Sequence, residues 1–580
     1  LFTSLNIFGL AISISACWVI FRIVDYEFSY DRNLPNKNAI YRVITGYVFD
    51  EKESYNGGVS APLYQGVREQ IAGLNYVVPV LGKHIAAVVI DQPNQKPTLI
   101  EDQEDIMATD VSYFNMLHYQ WLAGNQSTAL KAPESMVLTE NRAKQYFPGK
   151  KLSDVLNRTI TYYSHRDTIQ RTVTGIVADF KTPTEFTAQE FCALPTKAYT
   201  QNAWNNTNSS DKLYLQLKPS TNPENLTKQI KNIAATQINF FKKKEANSNE
   251  YKNWFRLMPL NESHFSGYVQ EGEIRKASKP VMYSLTGVAL FLLILACINY
   301  INMSVASIPQ RAKEIGVRKT LGSSQSALIG QFLSETMITT FLAGSISYIF
   351  SVFAFWLLKD IIPPGITPIT NFFQLIIFIL VLAVIVTMLA GLYPAWLITR
   401  VKAATIFRGT STGLKTSNGF SLQKVLIVFQ FVIALIFITS ALIVGKQLQF
   451  ALKADMGFNK DAIVVIEVPW KYASDKKYEN KQFTLLSELK RIAGIQKISL
   501  GNVPMENGGS SSQYQYLQNR KEPVKIQVFK KWIDTTYLKV YNMKLLAGRN
   551  LHASDTTNEF VINETAVKAF GFASPQEALV

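Results

Sequence analysis

Five stretches of this chain run for about a bilayer's thickness of helix with almost no charge: Leu1–Phe21, Tyr283–Ala306, Ala327–Leu358, Phe372–Thr399 and Val425–Gly445. Four hold no Asp, Glu, Lys or Arg, and the third holds only Glu335. A bilayer core takes about 20 apolar residues in a helix. Buried helices of soluble proteins rarely run so long without charge. Five membrane-spanning helices are therefore expected, and everything else must fit around them. The composition agrees only when it is divided. The chain is 47% hydrophobic, but that average mixes the apolar runs with long polar stretches.

The net charge of +16 fits two readings, nucleic-acid binding and membrane orientation. The apolar runs favour the second, because Lys and Arg concentrate in cytoplasmic loops. The loop after the second run holds Arg311, Lys313, Arg318 and Lys319. The loop between the fourth and fifth holds Arg400, Lys402, Arg408 and Lys415, with Lys424 at its edge. The loop between the third and fourth holds only Lys359, with Pro363, Pro364 and Pro368. With the basic loops inside, alternation puts residues 31–280 and 448–580 outside. Tyr283, Trp356 and Trp396 sit near segment ends, as interfacial aromatics do.

The chain also repeats itself at an offset of 424 residues. Tyr113-Phe114 and Leu122-Ala123-Gly124 return as Tyr537-Leu538 and Leu546-Ala547-Gly548. Val137-Leu138-Thr139-Glu140 returns as Val561-Ile562-Asn563-Glu564. The same offset carries Leu1–Phe21, closed by Arg22, onto Val425–Gly445, closed by Lys446. The period is too long for a solenoid and reads as tandem duplication of a transporter-like half. Leu1–Phe21 is then no signal peptide: no basic stretch precedes it, no cleavage site follows, and its repeat partner lies mid-chain. Each half is expected to be one helix, an outer domain and three helices. The chain is expected to be a C-terminally truncated piece, since Val580 falls partway through the second outer domain.

The expected divisions are a first transmembrane helix at 1–30, an outer domain at 31–280, and a second helix at 283–306. A cytoplasmic helix follows at 307–326. Helices at 327–358 and 372–399, a linker at 400–424 and a fifth helix at 425–447 precede an incomplete second outer domain at 448–580. The first outer domain reads as α+β and is long enough for its own core. Asn222-Pro223-Glu224 looks like a helix cap with proline in the first turn, and Leu226, Ile230, Ile233 and Ala234 follow at helical spacing. Lys212–Lys218 and Arg171–Val177 alternate as half-buried strands. Met136–Leu138 reads as a strand feeding a helix through Phe147. The cluster Lys242-Lys243-Lys244-Glu245 reads as a solvated face.

Chemistry is scarce. His84, His118, His165, His264 and His552 are scattered, and no HExxH or GxSxG occurs. Cys17, Cys192 and Cys297 show neither disulfide nor metal-ligand spacing. Gly149-Lys150-Lys151 and Gly445-Lys446-Gln447 lack the remaining positions of a phosphate-binding loop. No catalytic residue, metal or cofactor is expected.

The sharpest local signal is Arg311-Ala312-Lys313-Glu314-Ile315-Gly316-Val317-Arg318-Lys319-Thr320-Leu321-Gly322. On a helix, Arg311, Glu314 and Arg318 share a stripe, with Glu314 placed to pair Arg318. Ala312 and Ile315 form an apolar stripe beside it, and Gly322 is a stop. Two readings stand: an amphipathic helix parallel to the membrane that docks into a partner's groove, or simple orientation anchors. Glu335 is a functional intramembrane carboxylate or an interface group paired with these basic residues; the second is favoured.

Here the chain resembles the FtsX/MacB-type ABC transporter permeases, above all the long duplicated Bacteroidetes-type ones. The resemblance rests on Ala296-Cys297-Ile298-Asn299-Tyr300-Ile301-Asn302, then Arg311–Lys319, then Gln331-Phe332-Leu333-Ser334-Glu335. Asn6-Ile7-Phe8-Gly9-Leu10-Ala11, Tyr30-Asp31, Ile40-Tyr41-Arg42-Val43, Gly391-Leu392-Tyr393-Pro394-Ala395, Gln430-Phe431 and Asp455-Met456-Gly457-Phe458 agree in order and spacing. The resemblance implies membrane helices with MacB-like periplasmic core domains, in the bacterial inner membrane among lipid. It implies a permease subunit, not an enzyme, that binds a separate cytoplasmic ABC ATPase dimer; ATP belongs to that partner. Arg311, Lys313, Glu314, Ile315, Gly316, Val317, Arg318, Lys319, Leu321 and Gly322 would be the ATPase-coupling element. The work would be efflux of antimicrobial peptides or macrolides, with a periplasmic adaptor. The alternatives are FtsX-like signalling to a periplasmic partner and lipoprotein release. Gly124-Asn125 aligns with Gly548-Arg549, so the two outer domains are not expected to be equivalent.

Overall fold

The structure is a computed structural model. It describes residues 2–49, 52–91, 96–163, 168–195, 203–204, 206–242, 253–267, 275–369, 371–399, 422–466, 478, 480–505, 511–516, 524–554 and 556–579. The basic residues Arg400, Lys402, Arg408 and Lys415, the segment Lys243–Glu245 and His165 lie outside these.

Helix α1 (Phe2–Phe28) leads into the first outer domain. That domain contains β1 (Ile40–Phe49), β2 (Lys52–Asn56), α2 (Leu63–Gln70), β3 (Leu74–Ile90), β4 (Thr98–Thr109), α3 (Val111–Leu117) and β5 (Trp121–Gly124). It continues through β6 (Ser135–Thr139), α4 (Glu140–Tyr146), β7 (Thr159–Tyr163), β8 (Thr168–Val177), β9 (Glu190–Ala193) and β10 (Asp211–Leu217). It closes with α5 (Pro223–Lys242), β11 (Asn253–Pro259) and α6 (Leu260–Ser263). The eleven strands form one sheet, with main order β11-β1-β10-β3-β4-β9-β6-β8-β5. Most pairs are antiparallel; β4 with β9 and β6 with β8 run parallel.

Alternation along β10 shows why the sheet is covered on both faces. Leu213 and Leu215 pack with Leu63, Val67, Leu226 and Ile230 of α2 and α5. Tyr214 turns to the other face, among Tyr113 and Phe114 of α3 and Phe191 of β9. The cap read from Asn222 is present: its side chain accepts from Glu224 N at 2.8 Å. Leu226, Ile230, Ile233 and Ala234 are all buried, so the helical spacing marked the packed face of α5.

The membrane helices are α1, α7 (Lys279–Thr320), α8 (Gln325–Leu357), α9 (Phe372–Val386) continued through a π turn (Thr387–Gly391) into α10 (Leu392–Thr399), and α11 (Leu422–Lys453). Among the described residues, five helices are long and apolar enough to cross a membrane. Leu10, Ala11, Ile14 and Cys17 of α1 pack with Leu293, Ala296 and Tyr300 of α7 and Ala343 of α8. The α8 side of this contact is a run of small groups. Thr336, Thr340, Ala343, Gly344, Ser347 and Ser351 are buried, and Ser351 Oγ donates to Ser15 Oγ at 3.2 Å. Small residues at this spacing let helix backbones approach closely in lipid, where apolar burial gives no drive.

One expectation is corrected. The segment 307–326 is no separate helix lying along the membrane. The backbone of α7 runs unbroken for 42 residues, about 63 Å at 1.5 Å per residue, twice the roughly 30 Å of a bilayer core. The apolar span ends at Ile308, and the helix continues past it through the charged residues that begin at Arg311.

The second copy continues with α12 (Lys481–Leu489), β12 (Ser511–Tyr516), β13 (Val524–Phe529), α13 (Tyr537–Val540) and α14 (Glu564–Phe570). The repeat holds at the level of single hydrogen bonds. Asp110 accepts from Ser112 N at 3.0 Å, and Asp534 from Thr536 N at 2.9 Å. His118 and Asn542 share a left-handed φ of 53° and 52°, as Gly124 and Gly548 share 84° and 78°. Thr139 caps α4 by accepting from Arg142 N, and Asn563 caps α14 by accepting from Ala566 N. The copies diverge where the sequence changes charge. Asn125 caps its own turn by accepting from Ser127 N, whereas Arg549 Nη2 lies 2.6 Å from Glu559 Oε1.

Candidate functional site at the inner end of α7 and α8

α7 closes tightly. Leu321 N donates to Val317 O at 3.0 Å, and Ser323 N reaches back to Arg318 O at 3.0 Å. Gly322, with φ 93°, supplies the left-handed residue that such a helix end requires. Ser324 then opens α8 by accepting from Ala327 N at 3.2 Å. The two helices are thus joined by a stiff turn, residues 321–324.

The charged stripe forms a ladder across the two helices. Arg318 Nη2 lies 2.7 Å from Glu314 Oε1, the i,i+4 pair read from the sequence. Arg318 Nη1 donates to Gln331 Oε1, and Gln331 Nε2 donates to Glu335 Oε1 at 3.4 Å. Arg311 Nη1 closes the ladder 2.6 Å from Glu335 Oε2. Glu335 is thus paired with Arg311 and with Gln331. Lys319 Nζ donates to Thr399 O at 2.6 Å, at the end of α10, and desolvation lowers its pKa. Ile315 is buried with Ile308, Leu328, Phe332, Ala395 and Ile398, and Gly316 is buried beside it.

The candidate residues therefore divide into two sets. Ile315 and Gly316 are buried, and Arg311, Arg318 and Lys319, though partly or largely exposed, pair across to α8 and α10. Lys313, Glu314, Val317, Leu321 and Gly322 are exposed, Leu321 by 81%. Leu321 thus stands exposed at the helix end, about two turns beyond the exposed Lys313 and Glu314.

Two contributors escaped the sequence reading. Gln331 and the Thr399 carbonyl are polar partners without charge, so charge patterning does not mark them. The π turn Thr387–Gly391 brings α9–α10 against α8. A Cβ on Gly391 would meet Leu333 Cδ2 at 2.9 Å, so the glycine at 391 was its one legible trace.

Comparison with known families places the chain in the membrane-spanning subunit class of ABC transporters. The MacB-like periplasmic core domain matches residues 3–233, and the FtsX-like permease C-terminal domain matches residues 286–403. The chain belongs to the FtsX/MacB-type ABC transporter permeases and is a multi-pass inner-membrane protein with periplasmic domains. The macrolide export ATP-binding/permease protein MacB of Salmonella paratyphi A is 30% identical over 88 residues, 15% of this chain and 14% of that protein. An uncharacterized ABC transporter permease, YknZ of Bacillus subtilis, is 29% identical over 73 residues, 13% of this chain and 18% of its own length. The chain thus matches under a fifth of either relative. The solved periplasmic region of MacB from Actinobacillus actinomycetemcomitans aligns at 12% identity and a TM-score of 0.26, over 38% of this chain and 97% of that one.

Proposed function

We propose that this chain couples a separate cytoplasmic ABC ATPase to export, or to mechanical work, on a periplasmic substrate. The carrying observation is α7. It is one unbroken helix from the base of the outer domain to the exposed turn at Leu321. A displacement imposed at Leu321 is passed toward Lys279 along one helix, whose hydrogen-bond ladder lacks a donor at Pro309. The exposed set Lys313, Glu314, Val317 and Leu321 is the dock for the ATPase. Arg311, Arg318 and Lys319 transmit the load sideways into α8 and α10. Two docks are needed for an ATPase dimer, and the internal repeat supports a second one in the duplicated half. ATP is bound and hydrolysed by the partner.

The substrate reading is efflux of macrolides or antimicrobial peptides, supported by the MacB-like outer domain and by the printed role of the MacB relatives. The test compares cells lacking the full-length protein, complemented with wild type or Leu321→Asp. Lower resistance to macrolides or peptides in the deletion and in Leu321→Asp supports efflux. Unchanged resistance with altered cell separation favours signalling to a periplasmic partner. Accumulation of mature lipoproteins in the inner membrane favours release. Absence of all three phenotypes contradicts the coupling function itself.

A further inference from the structure

The stretch that leads into α7 is held by three neighbours, one residue after another. Arg275 Nη1 lies 2.5 Å from Glu27 Oε1 at the outer end of α1. Lys276 Nζ donates to Ser263 O at 3.0 Å and sits 3.9 Å from Glu185 Oε1. Ala277 N donates to His264 O at 3.0 Å. Before α7 enters the membrane it is therefore fastened to α1, to the loop at 184–185 and to the end of α6.

Glu27 is the centre of this arrangement. Its side chain is fully buried, and its second oxygen lies 2.7 Å from His264 Nε2. The His264 ring stacks on Tyr30 at 3.6 Å. One turn further along, Asp31 accepts from Thr184 Oγ1 at 2.6 Å and from Glu185 N at 3.1 Å. Glu185 in turn is 3.0 Å from Arg42 of β1, both side chains being buried, and it accepts from Tyr214 of β10. Three carboxylates and three cations thus connect α1, the sheet, α6 and the lead-in to α7.

The opposite side of α1 is also fixed. Trp18 Nε1 donates to Pro368 O at 3.0 Å, Arg22 Nε to Thr367 O at 3.3 Å, and Tyr26 Oη to Pro364 O at 3.1 Å. These residues lie four apart on one stripe and tie α1 to the loop between α8 and α9. α1 is therefore held by the loop between α8 and α9 on one side and meets the lead-in of α7 at Glu27 on the other.

Apolar packing alone would let the lead-in slide along α1. A buried carboxylate does not, because leaving it unpaired costs several kcal/mol. Directional charge pairs admit few registers, and a packed joint with few registers moves between discrete positions instead of deforming smoothly. We propose that Glu27, with His264 and Arg275, is the positioning joint that fixes the outer domain to α7, so that movement of α7 is delivered to the domain and not lost as slippage. This rests on the reading of the chain as a permease and adds the residues through which its outer domain is driven.

The test needs no ATPase, so it stands apart from that reading. Cys17, Cys192 and Cys297 are buried, and cysteines introduced at Glu224 on the outer domain and Asp360 on the α8–α9 loop can be spin-labelled selectively. The full chain in lipid nanodiscs is then measured by pulsed electron resonance. Wild type should give one narrow distance. Glu27→Gln and Arg275→Gln should lose it to a broad distribution, while Arg275→Lys restores it. Amide-exchange protection of the sheet should stay unchanged in each, which separates loss of position from loss of fold. Arg275 is partly exposed, so Arg275→Gln decides the matter if Glu27→Gln fails to fold. A narrow distance in folded Arg275→Gln, or no restoration by Arg275→Lys, overturns the proposal.

Discussion

Asp31 illustrates how the outer domain responds to pH at the scale of one residue. It sits in left-handed backbone with φ 55°, a conformation that Asn also tolerates. Burial pushes its carboxyl up to about 6, helped by the nearby Glu185 carboxylate and opposed by Thr184, Glu185 N and His264. A raised folded pKa means that the folded protein holds the proton more tightly than the unfolded chain. The stabilisation is complete below about pH 4 and is lost as pH rises through 6. Asp31→Asn should remove that dependence and raise stability at pH 7.5 by about 1–3 kcal/mol. Thermal unfolding of the full chain at pH 5 and 7.5 checks this: wild type should gain at pH 5, and the variant should gain less. Arg42 makes the opposite case. Its removal strands the buried Glu185, so Arg42→Ala should destabilise the outer domain by about 3–5 kcal/mol, read by denaturant unfolding monitored by amide exchange. By contrast, the half-exposed Arg311–Glu335 pair should cost about 1 kcal/mol or less when broken.

Among elements, the repeat makes the sharpest comparison. Gly124 and Gly548 share a left-handed φ but differ in surroundings. A Cβ at Gly124 would meet Thr174 O at 2.4 Å, whereas one at Gly548 would meet Leu579 Cδ2 at 2.6 Å. A carbonyl in a sheet cannot retreat, and the end of a leucine can. Both substitutions to Ala carry the left-handed strain of about 1 kcal/mol, and Gly124→Ala should lower the melting temperature more than Gly548→Ala. Such pairs were legible because residue type and spacing carry backbone geometry. The α5 face, the Asn222 cap and the Glu314–Arg318 pair were legible for the same local reason. The continuity of α7 was not. Charge marks where a helix leaves the membrane, but backbone hydrogen bonding decides where it ends, and that end is at Gly322. The joint at Glu27 was also hidden, since its partners Glu185, His264 and Arg275 come from distant parts of the chain and no local pattern joins them.

Across the whole molecule, α7 is the helix that connects two surfaces. The inner one is the exposed turn with Lys313 and Leu321; the outer one is the joint around Glu27. Arg311, Arg318 and Lys319 tie the turn to α8 and α10, so a partner pushing on Leu321 moves packed helices and not a loose loop. Inner and outer substitutions should therefore separate: the first should change partner binding, the second the orientation of the outer domain. The most direct measurement is the affinity of this chain's cognate cytoplasmic ABC ATPase, identified by co-purification, for the full-length protein in nanodiscs. The account predicts saturable binding to wild type and to Arg275→Gln. It predicts at least about tenfold weaker binding, roughly 1.4 kcal/mol, to Leu321→Asp combined with Lys313→Glu. Equal affinity for all three, or no binding to any, would contradict it.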